Sequence, residues 1–157
     1  MEIKLIGIGK TDKTELDQLI KSYQNRLMHY VRFSFEIIPD LKNSKNLSKR
    51  LQKEEEGKLI LSKISNSDRL ILLDENGQEM NSVGFSDFLQ KQMNSGLKRL
   101  VLVIGGPYGF SEDVYKKASS KLALSKMTFS HQMVRLFIIE QLYRSFTILK
   151  NEPYHHR

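Results

Sequence analysis

Two periods of hydrophobic spacing take turns along the chain. Glu2–Ile8 is partly alternating and ends in glycine, Phe33, Phe35, Ile37 and Ile38 form a second short run, and Arg69–Asp74 a third. Leu100–Ile104 is apolar at every position and rich in β-branched residues, the pattern of a strand covered on both faces. Between these runs apolar residues recur every three or four positions. Asp12 with Glu15 predicts an N-cap and reciprocal acid opening a helix to about Tyr30, striped by Leu16, Leu19, Ile20, Tyr23 and Leu27. Further helices are predicted from about Leu47 to Ile64, about Ser82 to Met93, and about Gln132 to Leu149. Pro39-Asp40 closes the second strand, and Asn76-Gly77 reads as a tight turn beyond the third. Strands alternating with helices predict an α/β fold with a mostly parallel sheet flanked by helices, as one domain over 1–157.

The last helix departs from a single stripe. Met133, Val134, Leu136, Phe137, Ile138, Ile139, Leu142, Tyr143, Phe146, Ile148 and Leu149 occupy most of its circumference, so it needs more than one wall. One reading expects a second copy of the chain to supply that wall in a homodimer. The other reading sinks the helix in its own core. The second helix carries Lys49-Arg50-Leu51-Gln52-Lys53-Glu54-Glu55-Glu56, read as a solvated face laced by i,i+4 pairs such as Glu54 with Lys58.

The central strand empties into Gly105-Gly106-Pro107-Tyr108-Gly109, where bare backbone admits a ligand closely and Pro107 stiffens the turn. Ser111 offers an N-cap to a following helix, with Glu112 and Asp113 at its positive end. Ligands of open α/β sheets collect at the carboxyl ends of strands, which places a candidate site at Gly105. Neither G-x-x-x-x-G-K-S/T nor G-x-G-x-x-G is present, which disfavours a nucleotide enzyme that grips phosphate with this turn.

Composition narrows the partners. The chain has 157 residues, a formal charge of +7 and no cysteine, so disulfides and thiolate metal sites are excluded. The charge favours polyanions such as nucleic acid, or describes a lysine-rich solvated surface. No metal-ligand spacing, membrane span or signal-peptide pattern is visible, and a cytoplasmic protein is expected. His131, with Arg135 one turn on, reads as a helix-start residue or a catalytic one. Pro153-Tyr154-His155-His156-Arg157 has the default character of a frayed terminus, yet its aromatic and basic groups suit stacking on a base and contacting phosphate.

Three ordered stretches, VIGGPYG, LALSKMTFSHQMVR and IIEQLYRSFTILKNEPYHH, together with the amino-terminal strand and the length, resemble the RlmH family of 23S rRNA pseudouridine N3-methyltransferases. The resemblance spans essentially the whole chain. It implies an S-adenosylmethionine-dependent enzyme of the SPOUT class, homodimeric, with a carboxyl-terminal trefoil knot that general rules of chain threading would not anticipate. It places donor contacts at Leu73, Gly105, Leu124, Ser125, Lys126, Met127, Thr128 and Phe129. Residue type and position assign His131, Tyr154 and His155 to the target base, and Arg135, His156 and Arg157 to phosphate. The implied substrate is the large-subunit rRNA of assembled ribosomes, read by shape. The family pattern has proline where this chain has Ser130, and commonly one histidine and one basic residue where this chain has His155, His156 and Arg157. A non-catalytic RNA-binding module of the same fold is the competing expectation; it predicts no binding of the donor.

Overall fold

The computed structural model describes residues 1–156, so Arg157 lies outside the described residues. The chain runs β1 (Glu2–Ile8), α1 (Thr14–Leu27), β2 (Arg32–Ile38), α2 (Lys49–Leu61), β3 (Arg69–Glu79), α3 (Ser82–Asn94), β4 (Arg99–Ile104), α4 (Glu112–Lys117), β5 (Ser120–Ala123) and α5 (His131–Leu149). The strands form one sheet in the order β2-β1-β4-β3-β5, and every pairing is parallel. The expected α/β class and parallel sheet are therefore what the chain adopts.

The strands lack a polar face because alternate residues feed two cores. Ile3, Leu5, Ile71, Leu73, Leu100, Leu102 and Ile104 pack against α1, α3 and α5, through Leu27, Leu89, Ile138, Ile139 and Leu142. Ile6, Ile8, Leu70, Leu72, Val101 and Val103 pack on the other face, with Ile60 of α2 and Val114 of α4. A parallel sheet needs both covers, since its crossover helices occupy both faces. None of the described helices is long and apolar enough to cross a membrane.

Several boundaries differ from the sequence reading. Asn76-Gly77 does not end β3; the strand continues to Glu79 and pairs with β5 on both sides of an irregularity between Leu73 and Gln78. A Cβ on Gly77 would lie 2.7 Å from backbone atoms of Lys121 and Leu122, so the glycine is there to let β5 approach. β5 itself was not anticipated. Helix α1 begins at Thr14 without a side-chain cap from Asp12, whose N–H instead donates to Gln132 Oε1 at 3.2 Å. The anticipated Glu54–Lys58 pair is replaced by Arg50–Glu54 at 3.5 Å and Glu55–Lys58 at 2.6 Å.

Candidate functional site

The carboxyl ends of β3, β4 and β5 open into a cavity of about 490 Å³. Three chain segments build its walls. The first is the irregular stretch of β3 from Leu73 to Asn76. The second is the turn after β4, where the Gly109 N–H donates to the Gly106 carbonyl at 3.1 Å and Gly109 takes φ +78°. A Cβ on Gly105 would meet the Phe110 ring at 3.1 Å, so the strand end stays bare because an aromatic ring fills the space behind it.

The third segment joins β5 to α5. The Met127 N–H donates to Ser125 Oγ at 2.9 Å, the Thr128 hydroxyl donates to Glu75 Oε2 at 2.9 Å, and Phe129 sets its ring edgewise on Phe137 at 5.0 Å. Ser130 then caps α5, accepting from the Met133 N–H. Serine at this position supplies a hydrogen bond that proline lacks.

Of the residues singled out from sequence, Leu73, Gly105, Leu124, Ser125, Met127, Thr128, Phe129 and His131 line this one cavity. Lys126 lies in the same loop, exposed, with no place in the lining. Met127 is 73% exposed, a large apolar side chain standing at the mouth.

Residues that sequence reasoning missed give the cavity its charge. Asp74 and Glu75 line it, as does Tyr115 of α4, whose hydroxyl donates to Asp74 Oδ2 at 2.6 Å. Burial raises the Asp74 pKa, but the Tyr115 hydroxyl, the Asn76 N–H and the nearby Lys121 outweigh it, and the carboxyl ends below its ordinary value. Burial and Asp74 push Tyr115 up to about 12. The pair therefore holds a carboxylate and a phenol at neutral pH. Among the described residues no lysine or arginine lines the cavity. Such a site favours a cationic ligand and offers little to a polyphosphate.

The tail lies elsewhere. Tyr154 packs edgewise on Tyr143 at 4.8 Å, under the Arg144 guanidinium at 4.7 Å from its ring centre. Its hydroxyl donates to Glu140 Oε1 at 2.9 Å and meets the Tyr23 hydroxyl at 3.2 Å. His155 Nδ1 lies 3.4 Å from Arg144 Nη1, and His156 is exposed. His131 and Glu140 are about 14 Å apart along α5 at the helical rise, and the described tail residues, as far as His156, do not border the cavity of their own chain.

Arg135 requires a correction. Expected against phosphate, it is 0% exposed. Nη2 donates to the Ile8 carbonyl at 2.7 Å and Nη1 to Thr11 Oγ1 at 3.2 Å, which ties α5 to the carboxyl end of β1. Burial lowers its pKa, against the opposing pull of Asp12 and Asp40. A guanidinium enclosed in this way has no face open to RNA. Among the described residues no group of three His, Asp or Glu side chains is placed to hold a metal ion.

Known proteins match the sequence of this chain over nearly its whole length. A family model described as "Predicted SPOUT methyltransferase" matches residues 1–155. A protein of Christiangramia forsetii named "Ribosomal RNA large subunit methyltransferase H" is 69% identical over 157 residues, covering 100% of both chains. Proteins with that name from Parabacteroides distasonis and Bacteroides thetaiotaomicron are 60% and 50% identical over 156 residues, with 99% of each chain covered. The glycine turn, the loop before α5 and the tail as far as His155 fall inside the family match, the Christiangramia forsetii protein aligns with the rest, and the chain belongs to the RlmH family of SPOUT methyltransferases.

Proposed function

We propose that this protein transfers a methyl group from S-adenosylmethionine to N3 of a pseudouridine in 23S rRNA, on assembled large subunits in the cytoplasm. The observation that carries the reading is the cavity at the ends of β3, β4 and β5, whose charged lining is Asp74 and Glu75. S-adenosylmethionine carries both a sulfonium and an ammonium, and its adenine suits main-chain amides at Gly105 and the Leu124–Phe129 loop, with Leu73, Leu124 and Met127 as apolar cover. When bound, it supplies a methyl already activated by the sulfonium.

The chain's own residues have two tasks. They hold the target nitrogen in line with the methyl and exclude water, which the half-closed cavity and the Phe129–Phe137 contact favour. They also manage a proton. The N3–H of pseudouridine is a weak acid and must leave before or as the N–C bond forms, while the C–S bond breaks to leave a neutral thioether. His131 at the cavity mouth is positioned to receive that proton or to stabilise the anion. Tyr154 and His155 act beside it, with His156 and Arg157 toward phosphate.

This reading needs two copies of the chain. A tail docked on its own α5 reaches a cavity only in another protomer, and α5 leaves Met133, Phe137 and Ile148 incompletely covered for such a partner. The same face carries Glu140 and Arg144. The knotted passage from β5 into α5 belongs to this reading as well, supported by β5, which follows β4 in the chain but crosses to the sheet edge beside β3.

Calorimetric titration with S-adenosylmethionine, ATP and NAD tests the site. Saturable binding of the first alone is the expected result; binding of ATP or NAD in its place, or of none, contradicts it. A dimeric mass at micromolar concentration tests the second copy.

A further inference from the structure

Behind the glycine turn sits a carboxyl group that the reaction does not use. Glu56 of α2 is 3% exposed. Its Oε1 accepts from Gln52 Nε2 at 2.9 Å, and its Oε2, also buried, has no hydrogen-bond partner. The carboxyl lies flush against Gly106. A Cβ at Gly106 would fall 2.4 Å from Oε2 and 3.0 Å from both Oε1 and the carboxyl carbon. The adjoining Gly57 is equally close to the segment after the turn, since a Cβ there would fall 2.2 Å from Ser111 Oγ. So α2 and the turn interlock without slack. Because the Gly106 carbonyl accepts the Gly109 N–H, whatever displaces Gly106 displaces the turn that walls the cavity.

We propose that Glu56 is a positioning residue for the donor pocket: in its neutral form the buried carboxyl backs Gly106 and holds the Gly105–Gly109 turn in the shape that receives the donor. The proposal rests on the reading of that cavity as the S-adenosylmethionine site. A carboxylate with one unpaired oxygen is poorly tolerated away from water, whereas a neutral acid is tolerated and can donate. Burial accordingly raises the Glu56 pKa, opposed by the Gln52 hydrogen bond and reinforced by the negative charge of Asp40 beyond β2. The turn contributes Gly106, which carries no charge, and α4 brings Val114 to the adjoining Gly57, beside the Ser111 that precedes it. Ionising Glu56 therefore draws water or movement into the contact with Gly106, and the turn yields.

The test compares wild type with Glu56→Gln, which keeps shape and neutrality but does not ionise. Donor affinity is measured by calorimetry from about pH 5 to about pH 9 in buffers of different ionisation enthalpy, which report protons exchanged on binding. Every other ionisable group is common to both proteins, so the difference between the two curves isolates Glu56. Wild-type affinity is expected to fall toward about tenfold per pH unit above the Glu56 pKa, with proton uptake, while Glu56→Gln lacks that component. Coincident curves overturn the proposal and leave the pocket reading intact. Failure of wild type to bind the donor at any pH overturns both. Should Glu56→Gln not fold, the ¹³C carboxyl resonance of Glu56 in wild type decides: a titration moved to higher pH by the donor supports the role, and one unmoved by it refutes the role.

Discussion

The Tyr154 hydroxyl donates to Glu140 Oε1 at 2.9 Å, and the same carboxylate oxygen accepts two hydrogen bonds from Arg144, at 3.0 and 2.7 Å. Glu140, Arg144 and the two rings Tyr143 and Tyr154 thus hold the tail on the outward side of α5. Tyr30 adds a hydrogen bond to Glu152 just before it. In the proposed dimer, that order lowers the entropy lost when the tail enters the partner's site.

Two defective variants are predicted to repair one another. A pocket variant, Gly105→Leu, and a tail variant, Tyr154→Ala with His155→Ala, are each inactive. Co-expressed, half of the dimers are mixed and hold one complete site, giving about a quarter of wild-type turnover. A mixture as inactive as its components contradicts assembly of the site from two chains.

Tyr154→Phe removes the hydroxyl from a charged acceptor, a contact of about 1.5–3 kcal/mol. Turnover on ribosomes falls roughly tenfold or more, while the affinity for S-adenosylmethionine stays unchanged. A loss of donor affinity instead would put Tyr154 at the cavity of its own chain.

Arg135 is predicted to matter for folding rather than for RNA. Arg135→Ala leaves a cavity and an unpaired Ile8 carbonyl, costing about 2–5 kcal/mol in urea unfolding. Arg135→Met recovers much of that by filling the space. Its RNA affinity keeps the wild-type salt dependence, whereas losing a phosphate contact would reduce the slope by about 1.

Gly77 lies outside the cavity lining but governs it through β5. Gly77→Ala forces Lys121 and Leu122 away from β3, with a stability loss of about 1–3 kcal/mol and a donor affinity lowered about tenfold or more. Gly96→Ala is the control. Its φ of +74° makes alanine strained, but nothing lies within 4 Å, so stability drops while donor binding holds.

Acid weakens the fold through Asp68. Burial raises its pKa, but Arg99, donating from Nε at 2.8 Å, and the Ser65 N–H lower it further, to a net value below the ordinary one. A depressed carboxyl stabilises above its unfolded pKa and loses that contribution as pH falls through the folded value. Glu36, held by Lys4 and Lys63, adds in the same direction. Glu56 acts oppositely, losing stability as pH rises through its raised pKa. In Asp68→Asn the urea midpoint at about pH 7 drops and its further fall toward about pH 3 is smaller than in wild type.

What the sequence disclosed, and what it hid, divides along local and distant causes. β1 follows its pattern from Glu2 to Ile8, and α5 starts at His131, because a glycine stop and a serine cap act within a few residues. The cavity at Gly105 was legible for the same reason. β5 was not, since Ser120-Lys121-Leu122-Ala123 becomes a strand only by pairing with β3. Asn76-Gly77 falls in the irregularity between Leu73 and Gln78, beyond which the pairing resumes, so the turn is taken inside the strand instead of ending it. Glu56 read as part of a solvated face and Arg135 as a surface cation because their surroundings, Gly106 and Ile8, are remote in the chain. Asp74 and Glu75 stood beside a predicted strand end, and their position there was the available signal.

The most direct measurement incubates ribosomes from cells lacking this protein with the pure protein and S-adenosylmethionine carrying an isotopically labelled methyl, followed by mass spectrometry of rRNA fragments. One labelled methyl on N3 of a single pseudouridine in 23S rRNA is the predicted result. Label on another base or on protein, or no label despite saturating donor, would contradict it.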